Sequence, residues 1–469
     1  MKAVPSGNLP IRSPAALRWG VALAVFGLIE RAVLWLIYRP IYYGDTGAYQ
    51  RLTEVLSQGS LQGYDGTRVP FYPAFLAVVG PDGDAIWLAQ MVLGWGISLL
   101  LFWMTWRVTA SPAWAASVGF LYNLIPGQVL FEANLLTETL TAFLLVLSYT
   151  VLLALQRSRP MAGQVAIAFG LGVLAALAGL TRPLFFLFAP WLLPFVWIGG
   201  DERLPEDRRP LSDRLRWLLA GPRWRARLAR SAAYCVGPLL LLGGWLAYIQ
   251  TTYQMLAPTV MTGYNWVQHT GGYFEYLPDE DAAIRDTYIR YRDQRIAERG
   301  DQTNAIWDAI PELTQASGLS FFNLSEELQR LSLRLIRAHP DLYLKNVIEG
   351  WISFWKAPPY WRAESLRLPW TVGWMQALVL MGRGISIAAN GLFLLITAAA
   401  LLSVKARRRL AWDRYLTAIA GMIWLTSIVQ TLVDHGDNER FLVPLQMLVI
   451  LTVARAAAAW LRRGGAPSG

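Results

Sequence analysis

The sequence predicts an all-α polytopic membrane protein of about ten transmembrane helices, and three observations predict it. Of 469 residues, 55% are apolar and only 16% are charged, against roughly 45–50% and about 25% in soluble proteins. The apolar residues cluster in runs such as Ala142 to Leu155 and Leu239 to Ala247, and ~20 such residues in an α-helix cross ~30 Å of hydrocarbon. The basic residues, in turn, gather in short loops that fall on one side of the spans. This composition excludes a disordered chain and argues against a soluble multidomain enzyme.

Taken in order, the expected spans run over 17–38, 84–106, 113–130, 135–155, 162–180, 184–199, 231–250, 380–403, 412–433 and 441–460. The sixth is short and rich in proline, which predicts a tilted or broken helix. With the N-terminus and its Lys2, Arg12 and Arg18 on the cytoplasmic side, each even-numbered span returns the chain to basic residues. These are Arg107, Arg157 with Arg159, Arg203 to Arg230, Lys405 to Arg409, and Arg462 with Arg463. The 201–230 loop holds nine Arg against five acids, whereas 251–379 holds 12 Lys plus Arg against 15 acids. The formal charge of +10 is therefore read as positive-inside bias and not as a nucleic-acid footprint. Both termini are expected inside and 251–379 outside. The N-terminal stretch lacks a small-residue cleavage site, so the first span is read as retained.

The domain organisation follows. Residues 1–250 form an N-terminal transmembrane module, with interfacial helices in the first outer loop (39–83) and the basic cytoplasmic loop 201–230. Residues 251–379 form a small, mainly helical extracytoplasmic domain, and 380–469 the C-terminal transmembrane helices. Within 39–83, the stretch from Asp45 to Leu56 reads as a short amphipathic helix. The piece from Thr67 to Leu76 is too short to span and is expected in the interface. Charged helices are expected at Asp279 to Arg299 and Ser325 to Arg337, and Leu342 to Trp355 is expected to rest on the membrane by its aromatic face.

Chemistry is sought where charge meets the membrane boundary. Asp45 stands just past the first span, where a carboxylate can take the proton of a hydroxyl nucleophile. It can equally N-cap the helix that follows. Arg68, Arg182 and Arg440 reach the same face by three routes, and guanidinium forks suit phosphate oxygens; each is also placed to snorkel to headgroups. Glu132 and Glu138 lie at the turn between the third and fourth spans. Glu138 fits a hydrogen bond to a sugar hydroxyl or to an arginine, as well as a helix N-terminus. Glu30 and Arg31 sit inside the first span, where ionisable residues mark function or pair within the bundle.

Other signals carry little. Gly170-Leu-Gly172 with Ala175 matches a dinucleotide fingerprint in letters but lies inside a span with no strand before it. His269, His339 and His435 are too widely spaced for a zinc motif, and the lone Cys235 permits no intrachain disulfide.

Several segments together resemble the GT-C glycosyltransferases, in particular the branch of protein O-mannosyltransferases and lipid A aminoarabinose transferases. They are Gly44-Asp45-Thr-Gly-Ala-Tyr49, Arg68-Val-Pro-Phe-Tyr72-Pro73 and Leu135-Leu-Thr-Glu138. Gly179-Leu-Thr-Arg182-Pro and Glu439-Arg440-Phe-Leu-Val-Pro444 complete the set. The resemblance covers about 17–250 and the last span; the 251–379 domain has no counterpart in it. It implies a membrane enzyme that moves a sugar from a polyprenyl-phosphate donor to a hydroxyl acceptor, with the lipid bilayer as its setting. The acceptor is a cell-envelope glycan, lipid or protein, and the face used is the outer one of the membrane, that of a bacterial plasma membrane. In that scheme Asp45 is the catalytic group, and Arg68, Tyr72, Glu138, Arg182, Glu439 and Arg440 bind substrate. The family often carries a second acid after the first-loop Asp; here it is Thr46, which leaves a divalent cation at Asp45 undecided. Displacement at the anomeric carbon with one carboxylate implies inversion. A transporter or flippase for a lipid-linked sugar or other polar solute is the alternative, opposed by the lack of half-repeats and by charge concentrated at one face instead of the midplane. An assembly scaffold is the third.

Overall fold

The computed structural model describes residues 13–156, 160–199 and 223–464. The basic residues Lys2, Arg12, Arg157 and Arg159, the loop from 201 to 222 and the side chain of Arg463 lie outside them. The helices are α1 (Pro14–Ile37), α2 (Gly44–Ser57), α3 (Phe71–Val79), α4 (Gly83–Thr109), α5 (Pro112–Leu124), α6 (Pro126–Val129), α7 (Glu138–Leu155), α8 (Met161–Thr181), α9 (Phe188–Ile198) and α10 (Trp224–Tyr253). A polar helical module follows with α11 (Thr262–Thr270), α12 (Ala282–Arg299), α13 (Ala305–Ser317), α14 (Phe321–Ala338) and α15 (Pro340–Phe354). The chain closes with α16 (Val372–Leu402), α17 (Val404–Arg409), α18 (Arg414–Val433) and α19 (Gln446–Gly464). The described residues contain no strand, only an isolated bridge between Ile41 and Asn134.

Eight helical segments among the described residues are long and apolar enough to cross a membrane. The protein is a multi-pass, all-α integral membrane protein. Eight of the ten expected spans coincide with these segments. The third and sixth fall instead on α5 and α9, of 13 and 11 residues. Proline sets both lengths. Pro126 ends α5 and starts the short α6, while Pro183 opens a 3-10 turn ahead of α9, which itself contains Pro194. Proline removes a backbone donor and clashes with the preceding turn, a restriction that mean hydropathy does not register.

Helix starts follow ordinary capping chemistry. Ser13, Asp82, Ser111 and Asp413 each accept a backbone N–H of the helix they precede, satisfying one of its orphan donors. Helices α8 and α10 approach so closely that a Cβ on Gly172 would lie 1.9 Å from the carbonyl oxygen of Tyr234. Gly237 meets the backbone of Gly172 and Val173 from the other side. Gly172 thus serves helix packing, where small residues let backbones touch, and not a nucleotide.

Arg31 is buried inside the bundle and fully satisfied. Its Nε and Nη2 donate to the two carboxylate oxygens of Glu132 at 3.0 and 2.5 Å, and Nη1 donates to Asn123 Oδ1 at 3.1 Å. Tyr122 donates to the same Glu132 at 3.0 Å. Arg31 and Glu132 therefore tie α1 to α4, α5 and the 130–133 turn, a structural role. Breaking a buried pair by removing one partner costs about 3–5 kcal/mol. Arg31→Leu should accordingly lower the melting temperature sharply in nanodiscs, and adding Glu132→Gln should restore part of the loss. Equal melting of Arg31→Leu and the parent would show that the pair stabilises nothing.

The polar module has a core of its own, built on Tyr264, Val267, Phe274, Leu313, Leu324, Leu328 and Leu331. Its last helix, α15, lies against the membrane helices. Trp351 stacks on Trp424 of α18 at 6.0 Å, and Trp355 on Phe393 of α16 at 5.8 Å. The aromatic face expected on the membrane surface is thus packed on protein, while Leu344, Ile348 and Ile352 form the exposed stripe.

Candidate active site

The backbone between α1 and α2 is extended and pinned to the turn before α7. Ile41 N donates to Ala133 O at 2.8 Å, and Leu135 N donates to Ile41 O at 3.1 Å. Asp45, at the start of α2, is thereby brought beside Glu138, at the start of α7. Asp45 does not cap α2: the N-cap position is Tyr43, and Thr46, the third helical residue, closes the first turn from inside the helix. Tyr43 N donates to Thr46 Oγ1 at 2.9 Å, and that hydroxyl donates onward to Leu135 O at 3.0 Å. Asp45 is left free for side-chain partners.

Those partners arrive from far along the chain. Arg68 leaves a tight turn in which Thr67 N donates to Asp65 Oδ1 at 2.9 Å. Gly66 holds φ +68° there, and a Cβ would come within 2.9 Å of the Tyr253 ring, so both backbone and space require glycine. Arg182 ends α8 in an extended conformation (φ −143°, ψ 127°), as the residue before a proline does. Arg440 lies in the 3-10 turn Asn438–Leu445.

Together they form one ionic chain of alternating sign. Arg68 Nη2 donates to Asp45 Oδ1 at 2.8 Å, and Arg440 Nη1 to Asp45 Oδ2 at 3.0 Å. Arg440 Nε also donates to Glu138 Oε1, which takes Arg182 Nη1 at 2.6 Å. Three cations thus share two carboxylates, leaving a net positive charge. Arg182 further lies over the Phe441 ring at 4.3 Å, and Arg68 over Tyr49 at 5.8 Å. Exposure grades along the chain, from Glu138 at 0% to Asp45 at 32%, so the site opens at Asp45. Burial alone would raise the Asp45 pKa. The charges of Arg68 and Arg440, with their hydrogen bonds, outweigh it and hold the carboxyl well below the usual range. At the closed end, Glu138 Oε2 is buried and has no hydrogen-bond donor among the described residues.

Five of the seven expected site residues therefore converge: Asp45, Arg68, Glu138, Arg182 and Arg440. Tyr72 stands one layer behind. It is fully buried, donates to Gln90 Oε1 at 3.1 Å and meets the Tyr49 ring edge-on at 4.9 Å. Glu439 points away from the chain and accepts the Ser353 hydroxyl at 2.7 Å. Glu132 belongs to the Arg31 network described above. Both carboxylate oxygens of Asp45 face guanidinium groups. Among the described residues no three His, Cys, Asp or Glu side chains cluster to hold a metal.

Two further residues border the site and carried no motif. Arg362 lies over the ring of Tyr43, the residue before α2, at 4.9 Å. The strap carrying it is fixed by Arg362 N donating to Tyr38 Oη at 3.0 Å and Arg367 N to Ile37 O at 2.7 Å. Asp437, one turn before Arg440, has a pKa raised by burial against the pull of Arg440. The only sequence signal for either was a charge at the edge of an apolar run. No family model, curated protein or solved structure matches the chain.

Proposed function

We propose that the protein is a membrane glycosyltransferase of the GT-C type. It transfers a sugar from a polyprenyl-phosphate-linked donor to a hydroxyl acceptor, with inversion, on the outer face of a bacterial plasma membrane. The observation that carries this reading is the five-member ionic chain, with a surplus cation and its one half-buried carboxylate, Asp45, at the open end. In the reaction, the acceptor oxygen forms a bond to the anomeric carbon as the carbon–oxygen bond to phosphate breaks. The bonding pair leaves on the lipid phosphate, and the hydroxyl proton passes to Asp45 and then to water. Charge developing on the phosphate is met by preorganised guanidinium groups, an arrangement that stabilises such transition states.

The resting pairing suggests an order of events. With both oxygens engaged by arginines, Asp45 is a weak base. A donor phosphate that draws Arg68 and Arg440 toward itself removes part of that charge and raises the basicity of Asp45. Donor binding would then precede activation of the acceptor. The direct test is transfer by the purified protein in nanodiscs, from labelled polyprenyl-phosphate sugars to added hydroxyl acceptors. Movement of the lipid-linked sugar across the bilayer without transfer would favour a flippase instead.

The orientation belongs to the same proposal: ten spans, both termini cytoplasmic, and the α11–α15 module outside. In a Cys235→Ser background, Asp301→Cys should react with an impermeant thiol reagent added outside. Asp213→Cys, in the loop outside the described residues, should not. The reverse pattern would overturn this topology.

A further inference from the structure

The three arginines of the ionic chain are all committed to carboxylates, which raises the question of where a lipid phosphate first docks. Arg383, in α16, is differently placed. It has no ion pair or hydrogen bond among the described residues, and its Nε is buried without an acceptor. An ionisable side chain within a membrane span ordinarily finds a partner inside the protein. Arg383 lines a cleft between α16 and the 3-10 turn that carries Arg440, together with Gln128, Ser386, Glu439 and Gln446. Gly382 holds α16 against the wall of that cleft, where a Cβ would lie 2.8 Å from Pro126 Cδ.

Depth supports a phosphate. Helix α16 has 31 residues and is thus ~46 Å long at ~1.5 Å per residue. Twenty residues counted back from Leu402, beside the basic Lys405 to Arg409 run, cover ~30 Å and end at Arg383. That distance is the thickness of the hydrocarbon core, so the guanidinium lies at the boundary where lipid phosphates sit. Glu439 on the opposite wall is held by Ser353 at 2.7 Å and makes no ion pair with Arg383. Its charge disfavours a second negative charge in the same cleft. One cation facing one fixed anion suits a singly charged phosphodiester better than a doubly charged phosphomonoester.

We infer that the cleft of Arg383 and Glu439 is the docking seat for the phosphodiester of the lipid-linked donor, one residue from Arg440. This rests on the transferase reading for the identity of the lipid. It also adds a consequence: the monoester left after transfer is repelled by Glu439, which favours product exit.

The experiment uses the full chain in zwitterionic nanodiscs and measures binding, so that transfer is not needed. The probes are undecaprenyl methyl phosphate (a diester without sugar), undecaprenyl phosphate and phosphatidylglycerol. The parent should bind the methyl diester more tightly than the monoester, and phosphatidylglycerol, a diester of the same charge, is the competitor that separates a polyprenyl seat from a general headgroup contact. Arg383→Ala should weaken diester binding at least about tenfold, and Arg383→Lys less, because a charge without a fork replaces part of the contact. Glu439→Gln should narrow the gap between diester and monoester. Should Arg383→Ala not fold, Arg383→Gln carries the same expectation, with an unchanged melting temperature as the check. Diester binding unchanged in a folded Ala or Gln variant would overturn the inference and leave the transferase proposal intact. Equal competition by phosphatidylglycerol would also overturn it, reducing Arg383 to a general headgroup contact. Absence of transfer with Arg383-dependent diester binding would instead sink the transferase reading alone.

Discussion

Asp45→Asn should fold normally and slow sugar transfer by roughly 10²–10⁴-fold, the usual range for losing a general base. Folding should survive because the first turn of α2 is closed by Thr46 through Tyr43 N at 2.9 Å, and the amide keeps the shape of the carboxylate. Donor affinity should hold or improve, since the substitution frees Arg68 and Arg440 from a competing anion. The pH dependence has a definite sign. In the free protein the two guanidinium groups hold the Asp45 carboxyl below the usual range, so its base form persists in acid. The acid limb of kcat/KM, which reports the free enzyme, should therefore lie below the ordinary aspartate value of about 4. Arg68→Gln removes one of those charges and should move that limb upward. Normal transfer by a folded Asn variant would leave Asp45 as a counter-ion for two arginines, with no part in proton transfer.

Much of this arrangement was legible in the sequence, and the illegible parts have identifiable causes. The long spans could be read because ~20 apolar residues in a row have few alternative fates. Helices α5 and α9 were overestimated because hydropathy averages across Pro126 and Pro183, where the backbone cannot continue. Asp45, Arg68, Arg182 and Arg440 could each be found as a charge at the edge of an apolar run. Their pairing could not, since Asp45 and Arg440 lie 395 residues apart and no local pattern links them. The cap of α2 went to the wrong residue. The helix starts earlier than expected, with Tyr43 at the N-cap position, so Asp45 lies inside the first turn, past the place where an Asp side chain caps, and its partners are distant arginines. Tyr72 shares a motif with Arg68, but it lies on the buried face of α3 with Pro73 and Leu76, which turns its hydroxyl to Gln90. Arg383 was overlooked because one charge barely lowers the hydropathy of a long span. Its lack of a partner emerges only once α16 is packed.

Arg440 should give the other large effect, because it is the one side chain that joins both carboxylates. It donates to Asp45 Oδ2 at 3.0 Å and to Glu138 Oε1. A hydrogen bond to a charged group contributes about 1.5–3 kcal/mol, and each 1.36 kcal/mol is tenfold in rate. Where Arg440 turns both donors from the carboxylates to the departing phosphate, Arg440→Ala should lower kcat/KM by roughly 10²- to 10⁴-fold. Arg440→Lys can satisfy only one carboxylate at a time and should recover part of this. The Ala variant also leaves Glu138, which is 0% exposed, with Arg182 as its sole cation, so stability should fall as well. The double variant Arg440→Ala/Glu138→Gln separates the two effects. Removing the buried negative charge should restore the melting temperature whatever role Arg440 has in transfer. If Arg440 supplies positive charge to the departing phosphate, transfer stays low in the refolded double variant, because nothing replaces that charge. Recovery of transfer along with the melting temperature would instead make Arg440 a structural clamp between α7 and α2, and would move the burden of stabilising the phosphate to Arg68 and Arg182.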